Sequence, residues 1–274
     1  MDLKSCVTLN NGVQMPWFGL GVFRVDPGDA VEQAVRYALD AGYVHIDTAA
    51  AYRNEAGVGR AVKASGIDRK DLFITTKCPN PMQREERVEE VFAQSLEYLQ
   101  PDYIDLYLIH WPVKEKYIRT WKIFEKLYRQ GKIRAIGVSN FQIHHLEDLL
   151  ANTEIVPAVN QVEYHPWLTQ VELKQYCDEK GIRLEAWSPL AAGELVNAPT
   201  LTKIGAKYGK SAAQVMLRWD LQNGVITIPK SVNKERIIQN ADIFDFTLSP
   251  EDMQAIFAMN RDYRTGAHPD TFTF

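Results

Sequence analysis

Cysteine is scarce in this sequence: Cys6, Cys78 and Cys177 are the only three among 274 residues, widely spaced and without a C-x-x-C pair. That excludes a disulfide framework and a thiol-based structural zinc site, and it suits a reduced, cytoplasmic setting. No apolar run approaches the roughly 20 residues of a membrane-spanning helix. The opening stretch MDLKSCVTLNNG carries no apolar signal region. The expectation is a soluble, unexported protein without a membrane partner. A surplus of one charge is missing as well, since 31 Lys and Arg against 35 Asp and Glu leave a net charge of -4, mixed along the chain. Nucleic acid is therefore not an expected partner, and a small molecule is.

What the sequence does contain is a repeat of strand-like and helical patterns. Strand-like runs begin near Trp17, Val44, Leu72, Ile104, Ile133, Ala158, Ile182 and Val225. A strand, a helix and two loops need about 30 residues, so this spacing fits repeated βα units and a parallel sheet. Between the runs, Asp29–Leu39 places Ala30, Val31, Ala34, Val35, Ala38 and Leu39 at helical spacing, with Gly42 where a C-terminal cap belongs. Similar stripes predict helices over Val88–Leu99, Trp121–Gln130 and Ala212–Leu221, the last with Ser211 as N-cap. The long gap before the eighth run leaves room for an extra helix near Leu201–Lys207. Ahead of the first run, Val7-Thr8-Leu9 and Val13-Gln14-Met15 flank Asn10-Asn11-Gly12, a hairpin signal in which Asn-Gly supplies positive φ angles.

The pattern predicts one α/β domain over residues 1–274: a (β/α)8 TIM barrel with an N-terminal β-hairpin plug. An open doubly wound sheet would show a glycine-rich turn after its first strand. The nearest imitation, Gly57-Val58-Gly59, follows the wrong strand, lacks a third glycine and reads as a helix start packed closely on a neighbour. Arg261–Phe274 has no helical periodicity and is expected to form a C-terminal loop over the active-site mouth, with Phe272 or Phe274 near substrate.

Four side chains capable of sharing proton chemistry stand at or just past the C-terminal ends of these runs: Asp47, Tyr52, Lys77 and His110. Chemistry collects at those ends in parallel barrels. A phenol with a reference pKa near ~10 is a sluggish acid at neutral pH. A nearby lysine ammonium lowers that pKa, an aspartate holds the lysine charged, and a histidine can orient a carbonyl oxygen or join a proton relay. Taken singly, each has a plainer role: a helix cap, a core tyrosine, a solvent-facing lysine, a core histidine.

The strings around them decide between these readings. HIDTAAAYRNEAGVG (45–59), DLYLIHWP (105–112), IGVSNF (136–141), NQVEYHP (160–166), AWSPL (186–190) and ITIPKS (226–231) resemble, in order and spacing, the aldo-keto reductase family. Within it the chain is similar to compact bacterial and protozoan members such as 2,5-diketogluconate, glyoxal and methylglyoxal reductases and prostaglandin F synthases. The resemblance implies NADPH bound without a Rossmann fold and a catalytic tetrad falling on Asp47, Tyr52, Lys77 and His110. Tyr52 would donate a proton to a carbonyl oxygen while nicotinamide delivers hydride to carbon, giving an alcohol. An NADP(H)-binding sensor or regulatory subunit on the same barrel is the alternative. An aldolase-like barrel using Lys77 as a Schiff base does not fit this context.

The same resemblance places cofactor residues at Ser139, Asn140 and Gln161, which can hydrogen-bond a carboxamide, and at Trp187, which would stack on the nicotinamide. Ser188 would join the cofactor site, and Leu190 and the Ala191–Leu195 loop with Gly193 would lie near the pyrophosphate. Lys230, Ser231, Val232, Asn233 and Arg236 would hold a 2'-phosphate at a helix N-terminus, favouring NADP over NAD. Gln239 stands where relatives more often have glutamate, next to Asn240 at the adenine. Phe23 and Trp111, with Tyr52 and His110, would form the substrate pocket. In the string KCPNPM the aromatic wall common after the lysine is missing. Cys78 receives no role. No metal is expected: His144-His145 suggests a pair, but adjacent helical positions do not face one ligand and no third ligand stands out. A monomer is expected.

Overall fold

The computed structural model describes residues 1–99 and 102–274. An antiparallel hairpin, β1 (Cys6–Thr8) and β2 (Gln14–Pro16), precedes eight parallel strands that lie side by side in chain order. These are β3 (Leu20–Gly21), β4 (His45–Asp47), β5 (Phe73–Cys78), β6 (Ile104–Ile109), β7 (Ile133–Ser139), β8 (Val159–Glu163), β9 (Arg183–Trp187) and β10 (Ile226–Thr227). The first and last meet. The Gly19 N–H donates to the Thr227 carbonyl at 3.0 Å, the Thr227 N–H to Trp17 at 3.1 Å and the Gly21 N–H to Pro229 at 3.2 Å, which closes the sheet into a barrel.

Parallel neighbours need crossovers, and helices supply them. In order these are α1 (Asp29–Asp40), α2 (Glu55–Ser65), α3 (Asn80–Arg84), α4 (Val88–Leu99), α5 (Tyr117–Arg129) and α6 (Ile143–Asn152). There follow α7 (Val171–Glu179), α8 (Pro199–Tyr208), α9 (Ala212–Gln222), α10 (Lys234–Ala241) and α11 (Pro250–Phe257). The expected helices are present, including the extra one, α8; α5 begins at Tyr117, four positions earlier than its apolar stripe suggested. α1 buries Val31, Ala34, Val35, Ala38 and Leu39 against the sheet, and Gly42 ends it at φ 92°. Each buried Val or Leu of this kind contributes about 1.5–3 kcal/mol. Ser211 caps α9 by accepting from the Gln214 N–H at 3.3 Å. Gly57 and Gly59 open α2 where an added Cβ would come within 2.4 Å of Val31 and 2.1 Å of the Tyr98 carbonyl, so only glycine allows this close packing.

Alternation along the strands separates two faces. In β6, Tyr107 and Ile109 face the helices, while Leu106 and Leu108 join Phe73, Ala135, Val159 and Ile226 inside the barrel. Val7, Leu9 and Met15 of the hairpin belong to this interior cluster, so the hairpin floors the barrel with apolar side chains. Its turn differs from the expected one. Only Gly12 takes positive φ, at 87°, and a longer connection is closed by the Leu9 N–H donating to Val13 at 2.9 Å. The asparagines are recruited elsewhere: Asn10 Nδ2 donates to the Pro157 carbonyl at 3.0 Å and Asn11 Nδ2 to Arg134 at 2.8 Å, stitching the plug to the barrel wall.

Candidate active site

Above that floor the barrel interior turns polar, because β4, β5, β8 and β9 point His45, Asp47, Thr75, Lys77, Gln161 and Glu185 inward, all of them buried. Lys77 is wholly buried and its Nζ donates to Asp47 Oδ1 at 2.6 Å, to the Thr48 carbonyl at 2.9 Å and to Tyr52 Oη at 3.4 Å. An ammonium has three donors, and all are used. Burial works against its charge, but the Asp47 carboxylate and the Tyr52 oxygen more than offset that, and its pKa is raised. A charged lysine held this way is a poor Schiff-base nucleophile.

Tyr52 lies in a single 3-10 turn, Ala50–Tyr52, that follows β4. Asn54 fixes this loop: its Nδ2 donates to the Val22 and Val25 carbonyls and its Oδ1 accepts from Thr48 Oγ1 at 2.7 Å. The Tyr52 ring stands 5.6 Å from the His110 ring in an edge-on arrangement and 5.0 Å from Phe23. Lys77 pulls the phenol down as expected, but the net shift is in the other direction. Burial raises the Tyr52 pKa and outweighs the opposing pull of Lys77, so the phenol is held protonated. His110, at the end of β6, is pushed down to about 3 by burial and then by Lys77, and is therefore a neutral imidazole. A neutral ring can orient a carbonyl oxygen through its single N–H but lacks the more acidic second proton of an imidazolium.

The expected cofactor residues occupy the other half of the mouth, on β7, β8 and β9 and past β10. Asn140, at φ 64°, donates from Nδ2 to the His110 carbonyl at 3.0 Å and accepts at Oδ1 from Trp187 Nε1 at 2.8 Å. Ser139 Oγ donates to the Gln161 carbonyl at 2.8 Å. Gln161 ties the halves together by donating from Nε2 to Asp47 Oδ2 and Glu185 Oε2, each at 2.8 Å. With both amide hydrogens so engaged, Gln161 has only its oxygen left to offer a ligand.

Past β9, Ser188, Ala191, Ala192 and Gly193 all adopt positive φ, which turns the chain sharply beside the half-buried Leu190. Past β10, Lys230, Val232, Asn233, Arg236 and Gln239 are exposed, while Ser231 and Asn240 are buried. Asn233 caps α10 by accepting from the Arg236 N–H at 2.9 Å.

The 261–274 segment crosses the mouth as expected. Glu163, the inward neighbour of Gln161 on β8, accepts from the Thr265 N–H and Oγ1, both at 2.6 Å, and stands 3.1 Å from His165 Nε2. Gly266 then passes so close to Trp187 that a Cβ there would lie 2.5 Å from the indole. Phe272 and Phe274 cover Trp111 at ring distances of 5.0 and 5.2 Å, leaving Trp111 only 8% exposed. Asn80 and Arg84 of α3 grip the Phe274 backbone oxygen at 3.2 and 2.7 Å. The segment after Lys77 thus lacks an aromatic of its own and instead holds the tail at Phe274.

Sequence reasoning missed Glu163, Glu185, His45 and Asn54. The first two were detectable as inward positions, two residues from Gln161 and Trp187 respectively. It also missed that His144 and His145 converge on Asp270, at 3.2 and 3.6 Å. The ligand atoms of the three lie within 4.8 Å of one another, so a third candidate ligand does stand beside the pair. His145 Nδ1 accepts from the Gln142 N–H at 3.1 Å, so Nε2 carries the ring proton and has no lone pair to give. Cys78 is inert, its thiol pushed up to about 12 by burial.

The family model described as Aldo/keto reductase family matches residues 18–261. The glyoxal reductase of Bacillus subtilis is 60% identical over 273 residues, covering 100% of this chain and 99% of that protein. An aldo-keto reductase enzyme from a Medee basin deep-sea metagenome library superposes with a TM-score of 0.95 at 45% identity, covering 98% of this chain and 100% of that one. A Bombyx mori aldo-keto reductase, solved in complex with NADP, superposes with a TM-score of 0.89 at 38% identity, covering 97% and 95%. This chain belongs to the aldo/keto reductase family and is an oxidoreductase.

Proposed function

We propose that this protein reduces aldehydes and ketones to alcohols with NADPH, that Tyr52 donates the proton, and that small dicarbonyls such as glyoxal and methylglyoxal are among its substrates. The observation that carries the reading is the convergence of a phenol, a carboxylate-paired lysine and an imidazole at one end of the barrel: Lys77 Nζ is 2.6 Å from Asp47 and 3.4 Å from Tyr52, whose ring meets His110.

The donor set fits the cofactor. With their own hydrogens engaged, Ser139 Oγ and Asn140 Oδ1, like the free Gln161 oxygen, suit the amide NH2 of a carboxamide, the Trp187 indole suits a flat ring, and exposed Lys230 and Arg236 beside the α10 N-terminus suit a phosphate. Bound there, dihydronicotinamide supplies the hydride. The chain's own residues do the rest. His110, neutral, donates a hydrogen bond that directs a carbonyl oxygen toward Tyr52. The Tyr52 Oη gives its proton to that oxygen, and Lys77, charged through Asp47, stabilises the phenolate that forms. Phe23 and Trp111, with Phe272 and Phe274 over it, exclude water from one side. Similarity to the Bacillus subtilis glyoxal reductase supports the dicarbonyl assignment.

The test mixes purified protein with NADPH and a panel of glyoxal, methylglyoxal, aromatic aldehydes and keto-sugars, and follows the nicotinamide absorbance. Consumption with the dicarbonyls, and recovery of the matching alcohol, is expected. Tight NADPH binding with no consumption across the panel would overturn the enzymatic reading and leave a sensor.

A further inference from the structure

Directly beneath the four side chains lies a further titratable group that the proposed reaction does not use. Glu185, in β9, is wholly buried at the barrel centre. Its Oε2 accepts from Gln161 Nε2 at 2.8 Å, and the same Nε2 donates to Asp47 Oδ2 at 2.8 Å. Among the described residues its Oε1 has no hydrogen-bond partner, and it faces His45 Nε2 at 3.8 Å. His45 is also wholly buried, sits 3.1 Å from Thr75 Oγ1, and has an unpartnered Nδ1. Room for its ring exists because position 19 is glycine, where a Cβ would come within 2.6 Å of Nδ1.

The charge balance of this cluster is uneven. Two carboxyls, Asp47 and Glu185, share one amide and one ammonium, Lys77. His45 adds no charge, since burial and then Lys77 push it down to about 3. Among the described residues, Tyr52 is the other titratable neighbour. On the other side, Glu185 is paired in register with Ile226 of β10, which is apolar. Two ionised carboxylates around one amide in a dry interior repel each other, so one proton is retained. It resides on Glu185, because Asp47 has the Lys77 contact and Glu185 does not. Burial, and then the Asp47 charge, push the Glu185 carboxyl up to about 8.

We propose that Glu185 is a positioning residue for the Tyr52 proton transfer: a neutral, buried carboxyl that locks the Gln161 amide against Asp47 and keeps a second negative charge away from Lys77. The inference rests on Tyr52 being the proton donor. While Glu185 is protonated, Lys77 is balanced by Asp47 alone and remains free to stabilise a Tyr52 phenolate. When Glu185 ionises, the extra charge raises the Tyr52 pKa further and makes the phenol a weaker acid. Reduction should therefore slow as pH rises through the Glu185 transition.

Two measurements test this on the intact protein. With glutamate labelled at the side-chain carboxyl carbon, one resonance should titrate with a midpoint of about 8 and be absent from Glu185→Gln. Should that variant fail to fold, Glu185→Asp removes the same labelled carbon. In kinetics, Glu185→Leu, which frees Gln161, should lower kcat/KM about tenfold at pH 7, and Glu185→Gln should recover most of it while losing the decline above pH 8. A glutamate spectrum with no resonance titrating well above the ordinary carboxylate range would overturn the proposal, as would an unaltered pH profile in Glu185→Gln. Failure of the underlying reading looks different: Tyr52→Phe would retain turnover while the labelled resonance titrated as expected.

Discussion

At the ends of β4 and β5 the buried Asp47 and Lys77 are bonded to each other and reach Tyr52, whereas past β10 the cationic side chains stand in water. Lys77 has all its donors engaged within 3.4 Å, while Lys230 and Arg236 are exposed. The first arrangement is preorganised: its dipoles and charges are already oriented where a reacting carbonyl would develop charge, so little reorganisation is needed during the reaction. The second is adaptable, with long cationic side chains that lose freedom only when a phosphate orders them. On the proposed function, one half of the site serves the chemistry and the other the affinity for cofactor. Asn140 and Gln161 join the two through the His110 carbonyl and the Asp47 carboxylate.

Mutations can break this contrast from either side. Tyr52→Phe removes the proton but keeps the ring, so kcat should fall about a hundredfold to ten-thousandfold while NADPH affinity, read by tryptophan fluorescence, stays near wild type. Equal loss of both would mean that the two halves are not separable. Lys77→Met leaves the buried Asp47 without its counter-charge, and chemical denaturation should show a destabilisation of about 3–5 kcal/mol. A stability close to wild type would show that the pair is far more solvated than its burial implies. On the adaptable side, Arg236→Ala should weaken NADPH about tenfold and NADH hardly at all, because only the former carries the 2'-phosphate. Similar losses for the two cofactors would remove that assignment.

The smallest effect concerns His110. Its folded pKa of about 3 lies below the ordinary 6.5, so the unfolded chain binds the proton first and folding is opposed as the pH falls. The stability of wild type relative to His110→Gln should therefore shrink by about 1 kcal/mol between pH 7 and 5.5, and no further loss is due once pH drops below the folded value. A constant difference across that range would indicate an imidazole whose pKa folding does not change.

Much of the barrel was readable because its periodicities are local. α1 and α4 follow from apolar residues three and four apart, and β5 and β6 from β-branched and aromatic runs buried on both faces. The four candidate side chains were legible for a related reason, since each is tied to the end of a strand and embedded in a string long enough to be distinctive. What resisted was everything set by meetings across the barrel. Nothing near Glu185 in sequence signals that it would share an amide with Asp47, more than a hundred positions earlier. The same holds for Glu163 with Thr265, and for His144 and His145 with Asp270. The Tyr52 acidity was misjudged because residue types reveal the neighbouring lysine but not the depth of burial that outweighs it. The Asn10-Asn11-Gly12 turn misled because its amides had distant carbonyls to reach.

The apolar floor laid by Val7, Leu9 and Met15 has an implication for proton traffic. Protons do not cross a plug of packed hydrocarbon, so the ionisable groups above it equilibrate with bulk water from one direction, through the opening that cofactor and substrate would occupy. A molecule seated there becomes a stopper as well as a reactant, and whatever protonation pattern the interior holds at that moment is the one with which the turnover must be completed.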